Sequence, residues 1–359
     1  MYYLTCYQKA FGRFPQFNEY NKEAIMNTMF PENYKVCVVC NTYNHAAFIK
    51  DALNGFDKQK TDFPFLCVVV DDASTDGQVE LICRYIERVG DIDNMHKEET
   101  DDYALIIVRH VRNINCFFAV YYLKYNHYRK KNKYPYFSKW INAAKFVALC
   151  EGDDYWTDPC KLQKQVNLLE ANQDCVVCSA GFEIHHEYDS QIEDKTIYHG
   201  AYLRFNVKNY FTGWYMKTLT LLTYASAYKE YNETLSKYEH PKDSYFFYHL
   251  MKMGNGIYLC GNVGVYNRHP GGIWSSLDNR QKVINDYYAC GEVYYKNNCD
   301  IDARLPYVNC IITLIRYPDN PFGVKLLIKE CIKTGFTIRQ FFSLIKSIGI
   351  YIYKCYFNG

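Results

Sequence analysis

The chain of 359 residues is long enough for one large or two ordinary domains with a substantial core. Its 49% hydrophobic and 22% charged content is that of a soluble globular protein, and a formal charge of +2 supplies no global field to hold nucleic acid, so none is expected as a partner. The longest uninterrupted apolar runs, such as "FLCVVV" at 65–70, have strand length, far short of the ~18 residues that cross a bilayer.

Residues 1–33 read as an extension ahead of the first element. Their opening, "MYYLTCYQKAFGRFPQF", lacks a basic region followed by an apolar core and a small-residue cleavage site, which points to a reduced, cytoplasmic setting for the sixteen cysteines. "VCVVCN" at 36–41 reads as a buried strand, and 45–56 places Ile49, Leu53 and Phe56 at helical spacing. "FLCVVVDD" at 65–72 is a second strand, followed by a helix with Val79, Ile82, Ile86 and Val89 on one face. "ALIIVRH" at 104–110 and "KFVALC" at 145–150 supply two more strands. Asp158 and Pro159 suit the start of a helix whose stripe is Leu162, Val166 and Leu169. Strands apolar on both faces and separated by helices predict an α/β fold with a mostly parallel sheet covered on both sides.

"CVVC" occurs at 37–40 and again at 175–178, the outline of a four-cysteine zinc site. Both pairs lie in β-branched runs, and in a strand residues i and i+3 point to opposite faces. Neither pair grips one ion without a turn between its members, so core thiols are the expectation.

"ALCEGDDYW" at 148–156 gathers Glu151, Asp153 and Asp154 between a strand end and a helix start. In an open α/β sheet, ligands bind outside the carboxyl ends of the strands. "NTYN" at 41–44 and "DDASTDG" at 71–77 end the first two strands at that same edge. No GxxxxGK or GxGxxG follows any strand, so a bound nucleotide diphosphate needs another neutraliser, and carboxylates holding Mg²⁺ or Mn²⁺ provide one. Taken alone, the three acids fit either a metal site or loop and cap roles; for Asp71 and Asp76 loop and cap roles are expected.

"VCVVCNTYNHAAFIKDAL", "VVVDDASTDG" and "FVALCEGDDYWTDPCKLQKQVNLLEAN", with "KDSYFFYHLMKMG" and "GVYNRHPGGIWSS" further on, resemble in order and spacing the family 2 glycosyltransferases of the GT-A fold, in particular the bacterial branch carrying "EGDDYW". The resemblance implies a GT-A domain over 34–279, a mixed, mostly parallel sheet flanked by helices, and a helical region over 280–359. It implies inverting, Mn²⁺- or Mg²⁺-dependent transfer from a nucleotide-sugar donor, UDP-sugar, to a hydroxyl of a glycan or lipid-linked glycan acceptor, a hexosyltransferase-like step in surface polysaccharide or glycoconjugate assembly. Carried over by position, Asn41, Tyr43 and Asn44 line the base pocket, Asp72 meets the base edge, Asp153 reaches the ribose or metal, and Asp154 binds the metal. Glu151, where the motif begins with Asp in many relatives, stands with Trp156, Arg268 and Trp274 as a donor or acceptor contact. Asp243 matches the base that takes the acceptor's proton, and it also suits a helix cap, since Phe246, Phe247 and Leu250 follow and Gly254 marks an end. His269 matches a histidine that touches metal or diphosphate; a glycine turn with a surface histidine is the plainer reading. A catalytically degenerate sugar-nucleotide binder is the alternative to an enzyme.

Where many relatives carry a basic residue facing the donor phosphates this chain reads "RNINCFFAVYYLKYNHY" at 112–128, a departure from the family, and the following 124–139 carry six Lys or Arg and no acid among tyrosines. A solvated insertion or a contact to a phosphorylated acceptor both suit them. "EIHHEYD", with His185 and His186, reads as an exposed strand edge or loop. The C-terminal stretch from 323 has six Lys or Arg against one Glu, with Phe341, Phe342, Ile345 and Ile348 near helical spacing. It fits either an anionic membrane surface, giving peripheral cytoplasmic-face attachment, or packing against the rest of the chain. No QxxRW is present, which disfavours a processive membrane-spanning synthase, and the missing glycine-rich loop disfavours a nucleotidyltransferase.

Overall fold

A computed structural model describes residues 30–128, 132–188, 190–210, 215–240, 242–272 and 274–357. Most of the N-terminal extension, and Arg129, Lys130 and Lys131 of the basic insertion, lie outside the described residues. The chain forms two compact units, one of Met1–Phe205, Tyr215–Asn232 and Met253–Asn267, the other of Asn206–Trp214, Glu233–Lys252 and Arg268–Gly359. The units interleave along the sequence, because elements distant in the chain pack together, and neither ends at residue 279.

The first unit is built on β1 (Tyr34–Thr42), helix α1 (Ile49–Asp57), β2 (Phe65–Asp71), helix α2 (Gln78–Val89), β3 (His96–Glu99), β4 (Tyr103–Arg109) and β5 (Cys116–Leu123). Helix α3 (Tyr134–Asn142), β6 (Ala144–Leu149), β7 (Tyr155–Trp156), helix α4 (Lys161–Ala171), β8 (Cys175–His186), β9 (Ile192–Asp194), β10 (Tyr202–Phe205), β11 (Leu222–Tyr224), helix α5 (Ala225–Thr234) and β12 (Asn255–Arg268) follow. The strands join in the order β10-β12-β8-β11-β6-β1-β2-β5-β4-β3. β6, β1, β2 and β5 run parallel, in registers that pair Val39 with Leu149 and Thr42 with Asp71. β4 lies antiparallel to β5, and β11 antiparallel to β6 and β8, so the parallel centre has antiparallel flanks.

The parallel centre forms because β1, β2 and β5 bury both faces. Val36, Val38 and Cys40 pack on one side with Ile49, Leu53 and Phe56 of α1, Val79 and Ile82 of α2, and Leu162 and Val166 of α4. Cys37 and Val39 pack on the other with Phe137, Trp140 and Ile141 of α3. Each fully buried side chain of this kind contributes about 1.5–3 kcal/mol. Cys37, Cys40 and Cys178 are buried there, and burial pushes their thiols up, so they sit as neutral apolar groups. Helix α4 begins two residues later than the capping pattern predicts: Asp158 accepts from Cys160 N (2.8 Å) in a preceding turn.

The second unit is helical: α6 (Asp243–Met253), α7 (Asn279–Lys296), α8 (Ile301–Leu314), α9 (Val324–Thr334) and α10 (Ile338–Phe357). Asp278 caps α7 in a capping box with Gln281, and Asp300 caps α8. Tyr245 donates to Glu292 Oε2 (2.6 Å) and Tyr248 to Asp300 Oδ2 (2.8 Å), fixing α6 to α7 and to the start of α8. Among the described residues no helix is long and apolar enough to cross a membrane.

Candidate metal and nucleotide site

The C-terminal ends of β1, β2 and β6 stand side by side. Gly152 N donates to Asn41 O (3.0 Å) and Asp72 N to Thr42 O (3.0 Å), so the three following loops are tied to one another. Glycine is required at 152 because a β-carbon there would collide with the Thr42 side chain. The turn that follows grades its acids by depth: Glu151 is exposed, Asp153 half-buried, and Asp154 only 2% exposed. Asp154 Oδ1 accepts from Asn267 N (3.1 Å) and the Asp153 carbonyl from Asn267 Nδ2 (2.6 Å), locking the acidic turn to the end of β12. Burial pushes the Asp154 carboxyl well up, and Asp153 adds to the effect while Lys217 opposes it.

His45, which the motif comparison does not single out, completes this corner. Its Nε2 lies 3.8 Å from Asp153 Oδ2, and its Nδ1 lies 3.3 Å from Thr42 Oγ1. Thr42 gives its one proton to Gln78 Oε1 (2.8 Å). Gln78 Nε2 in turn donates to Asp71 and Ser74, which fixes the orientation of the amide. The neutral imidazole therefore carries its proton on Nδ1 and turns the Nε2 lone pair toward the Asp153 carboxylate. In that neutral form an imidazole nitrogen and a carboxylate oxygen stand 3.8 Å apart, and a set of carboxylate oxygens and imidazole nitrogen suits Mn²⁺ or Mg²⁺.

Around that corner, Tyr43 is 42% exposed just past the end of β1, and Asn41 Oδ1 is buried without a hydrogen-bond partner among the described residues. Asn44 has left-handed backbone (φ 53°), and its Oδ1 accepts from Thr75 N (2.7 Å), so it stitches the first loop to the second. Asp76 accepts from Ala46 N (2.8 Å) and Gln78 N (3.1 Å), a cap and loop role. Asp72 is 1% exposed, with Oδ1 accepting from His127 N (2.7 Å) and Oδ2 from Lys133 Nζ (3.0 Å). The described part of the basic insertion thus clasps Asp72, and any base that meets this carboxylate does so beside Lys133. Trp156 differs from its expected ligand contact. It is buried, its Nε1 donates to Leu219 O (2.8 Å), and its ring meets Phe56 edge-on at 5.0 Å, so the indole packs the interior. His185 and His186 end β8 half-buried, paired with Glu183 and Glu193, and with Phe48, Gln191 and Asn267 they line a cavity of about 330 Å³.

Asp71 is held with Ser74 N (3.0 Å) and Gln78 Nε2 as donors, yet burial pushes its carboxyl up to about 6. The folded state then keeps a proton that the unfolded chain releases near pH 4, so stability falls as pH rises from about 4 to 6 and levels above it. Urea unfolding at several pH values is expected to show a wild-type loss of up to about 3 kcal/mol across that window that is absent in Asp71→Asn. Identical slopes in both proteins would refute the assignment.

In the second unit, Asp243 is exposed as the first residue of α6. The neighbouring Lys242 pairs with Asp286 and lies 3.8 Å from the ring centre of Trp274, which places Trp274 beside the start of α6. Arg268 is the last residue of β12 and His269 follows it, two positions beyond the Asn267 anchor; the His269 carbonyl accepts from Gly272 N (3.2 Å) in a turn.

No protein-family model matches the chain. Over 143 residues, 39% of its length, it is 33% identical to an uncharacterized protein of Mycobacterium bovis and to counterparts in two strains of Mycobacterium tuberculosis; the match spans a third (33%) of the length of those curated relatives. Solved structures similar to it are glycosyltransferases. One is Staphylococcus aureus TarS 1–349 in complex with UDP-GlcNAc, at 16% identity over 89% of this chain and 81% of that one, with a TM-score of 0.49. Another is the mannosyltransferase PcManGT from Pyrobaculum calidifontis in complex with GDP-Man and Mn²⁺, at 15% identity over 99% of this chain and 92% of that one, with a TM-score of 0.47.

Proposed function

We propose that the chain is a divalent-metal-dependent, inverting glycosyltransferase that moves a sugar from a nucleotide-diphosphate donor, UDP-sugar, to a hydroxyl of a glycan or lipid-linked glycan acceptor. The observation that carries this reading is the His45 Nε2 and Asp153 Oδ2 pair facing across 3.8 Å beside the buried Asp154, at the carboxyl edge of a parallel sheet. Asp153, Asp154 and His45 would hold the cation, and His269 is carried as a further ligand by its match to the motif alone. The cation, when bound, neutralises the leaving diphosphate. Tyr43 offers an exposed ring for the base to stack on, and Asn41 Oδ1 offers it an acceptor. Asp72 and Lys133 together offer the base edge one acceptor and one donor. Asp243 takes the proton of the attacking hydroxyl, which inversion in one displacement requires on the side away from the diphosphate.

A panel of nucleotide sugars, with diphosphate release measured in Mn²⁺ or Mg²⁺, tests this reading. The expected result is release from one donor that an acceptor glycan stimulates and EDTA abolishes. Tight metal-dependent binding of a nucleotide sugar with no release under any acceptor would instead establish the degenerate binder.

A further inference from the structure

Helix α10 is amphipathic with its sides reversed. The side that packs inside the helical unit is led by polar residues: Gln340, Leu344 and Ser347 are buried, Gln340 Nε2 donates to Leu305 O (3.2 Å) and Asn309 Oδ1 (2.9 Å), and Arg316 Nε donates to Ser347 Oγ (2.9 Å). The opposite side is apolar and open. Ile338 is 79% exposed, Phe342 65% and Tyr356 80%, with Phe341, Ile345 and Ile352 exposed between them. At 100° per residue these six fall within an arc of about 100°. An ordinary surface helix buries such a stripe.

On the neighbouring α9, Leu327 and Cys331 are buried, while Leu326 and Ile332 are also exposed. Over α9 and α10 the chain has six cations, Lys325, Lys329, Lys333, Arg339, Lys346 and Lys354. Their one acid, Glu330, is turned inward, where it accepts from Tyr307 and from Tyr287 (2.8 Å). We infer that the exposed apolar stripe of α10, flanked by Arg339 and Lys346 and accompanied by the exposed lysines of α9, docks on an anionic lipid surface, the helix lying in the interface plane. At 20 residues, α10 would lay about 30 Å of apolar edge among the acyl chains while the cations meet lipid phosphates. Charge decides against a second copy of the chain, because a twofold interface would bring the same uncompensated cations face to face.

Flotation of the full chain with phosphatidylcholine vesicles, with and without 30% phosphatidylglycerol, tests the inference and reads no activity, so it stands apart from the proposed glycosyl transfer. Binding is expected on the anionic vesicles at 0.1 M salt, falling about fivefold for each cation replaced in the series Arg339→Gln, Lys346→Gln. A Phe341→Ser, Phe342→Ser variant is expected to lose binding at least tenfold with unchanged helix content by circular dichroism, since both rings are exposed. Failure to float with anionic vesicles, equal binding to neutral ones, or a dimer by light scattering that the serine variant dissociates would each overturn it.

Discussion

Asp154→Asn is expected to lower acceptor-dependent turnover at least ~10³-fold, to abolish the rise in melting temperature that Mn²⁺ gives the wild type, and to melt higher than the wild type in EDTA. The two halves have one cause. The Asp154 carboxyl is pushed up by burial, with Asp153 next to it, so without a cation its charged form is a cost to the fold. Asparagine removes the charge and keeps an oxygen to accept from Asn267 N, leaving the acidic turn in place. On the proposed reading the same substitution also removes a carboxylate that would hold the cation. About 4 kcal/mol of lost transition-state stabilisation corresponds to the expected drop. Paired melts in EDTA and Mn²⁺, together with diphosphate release, check both halves. A variant that keeps the Mn²⁺ shift and turns over within tenfold of the wild type would remove Asp154 from the metal site.

The parts of this site written in short range were legible in the sequence. The apolar runs of β1, β2 and β6 and the periodic stripes of α1, α2 and α4 fix a parallel sheet centre, and that alone sets the loops after Thr42, Asp71 and Leu149 at one edge. Local pattern also suggested loop and cap roles for Asp71 and Asp76, since a short acid after a strand commonly serves a turn or a following helix. His45 and Gln78 are different. Each lies in an unremarkable polar stretch, and their importance arises from a chain of hydrogen bonds through Thr42 that joins residues 36 apart.

The clasp on Asp72 is less readable still. His127 and Lys133 reach it from 55 and 61 residues away, out of a segment whose composition suggests solvent. Lys161 makes the same point inside α4. It has the look of a surface lysine, yet it is fully buried, donates to Gln165 Oε1 (2.8 Å) and rests on the Trp156 ring, and burial lowers its ammonium to about 7. Periodicity identifies which face a residue takes but not what covers that face, and the interleaving of the two units is decided by that covering. In α10 periodicity leaves two coverings open, and the apolar stripe stands exposed where such a stripe ordinarily marks a buried side.

Asp243→Asn is expected to cut acceptor-dependent kcat by about 10²–10⁴-fold, leaving donor affinity and melting temperature close to those of the wild type. Asparagine is nearly isosteric and serves a helix start about as well as aspartate, so the local fold of α6 is preserved and what changes is the ability to take a proton. Asp243 is exposed as the first residue of an 11-residue helix, where its carboxylate is open to an acceptor hydroxyl. Hydrolysis of the donor without acceptor should fall far less, because water attack needs no acceptor hydroxyl to be deprotonated. Asp278→Asn is the matched control: it too begins a helix of the same unit, accepts from Gln281 N (2.7 Å) in a role asparagine can fill, and is expected to leave turnover unchanged. If Asp243→Asn and Asp278→Asn turn over alike, the proton is taken by another group. If only the former fails, and fails in kcat with donor KM unmoved, the loss belongs to the chemical step and not to the helix start, because asparagine suits both starts and only the former variant would lose a base.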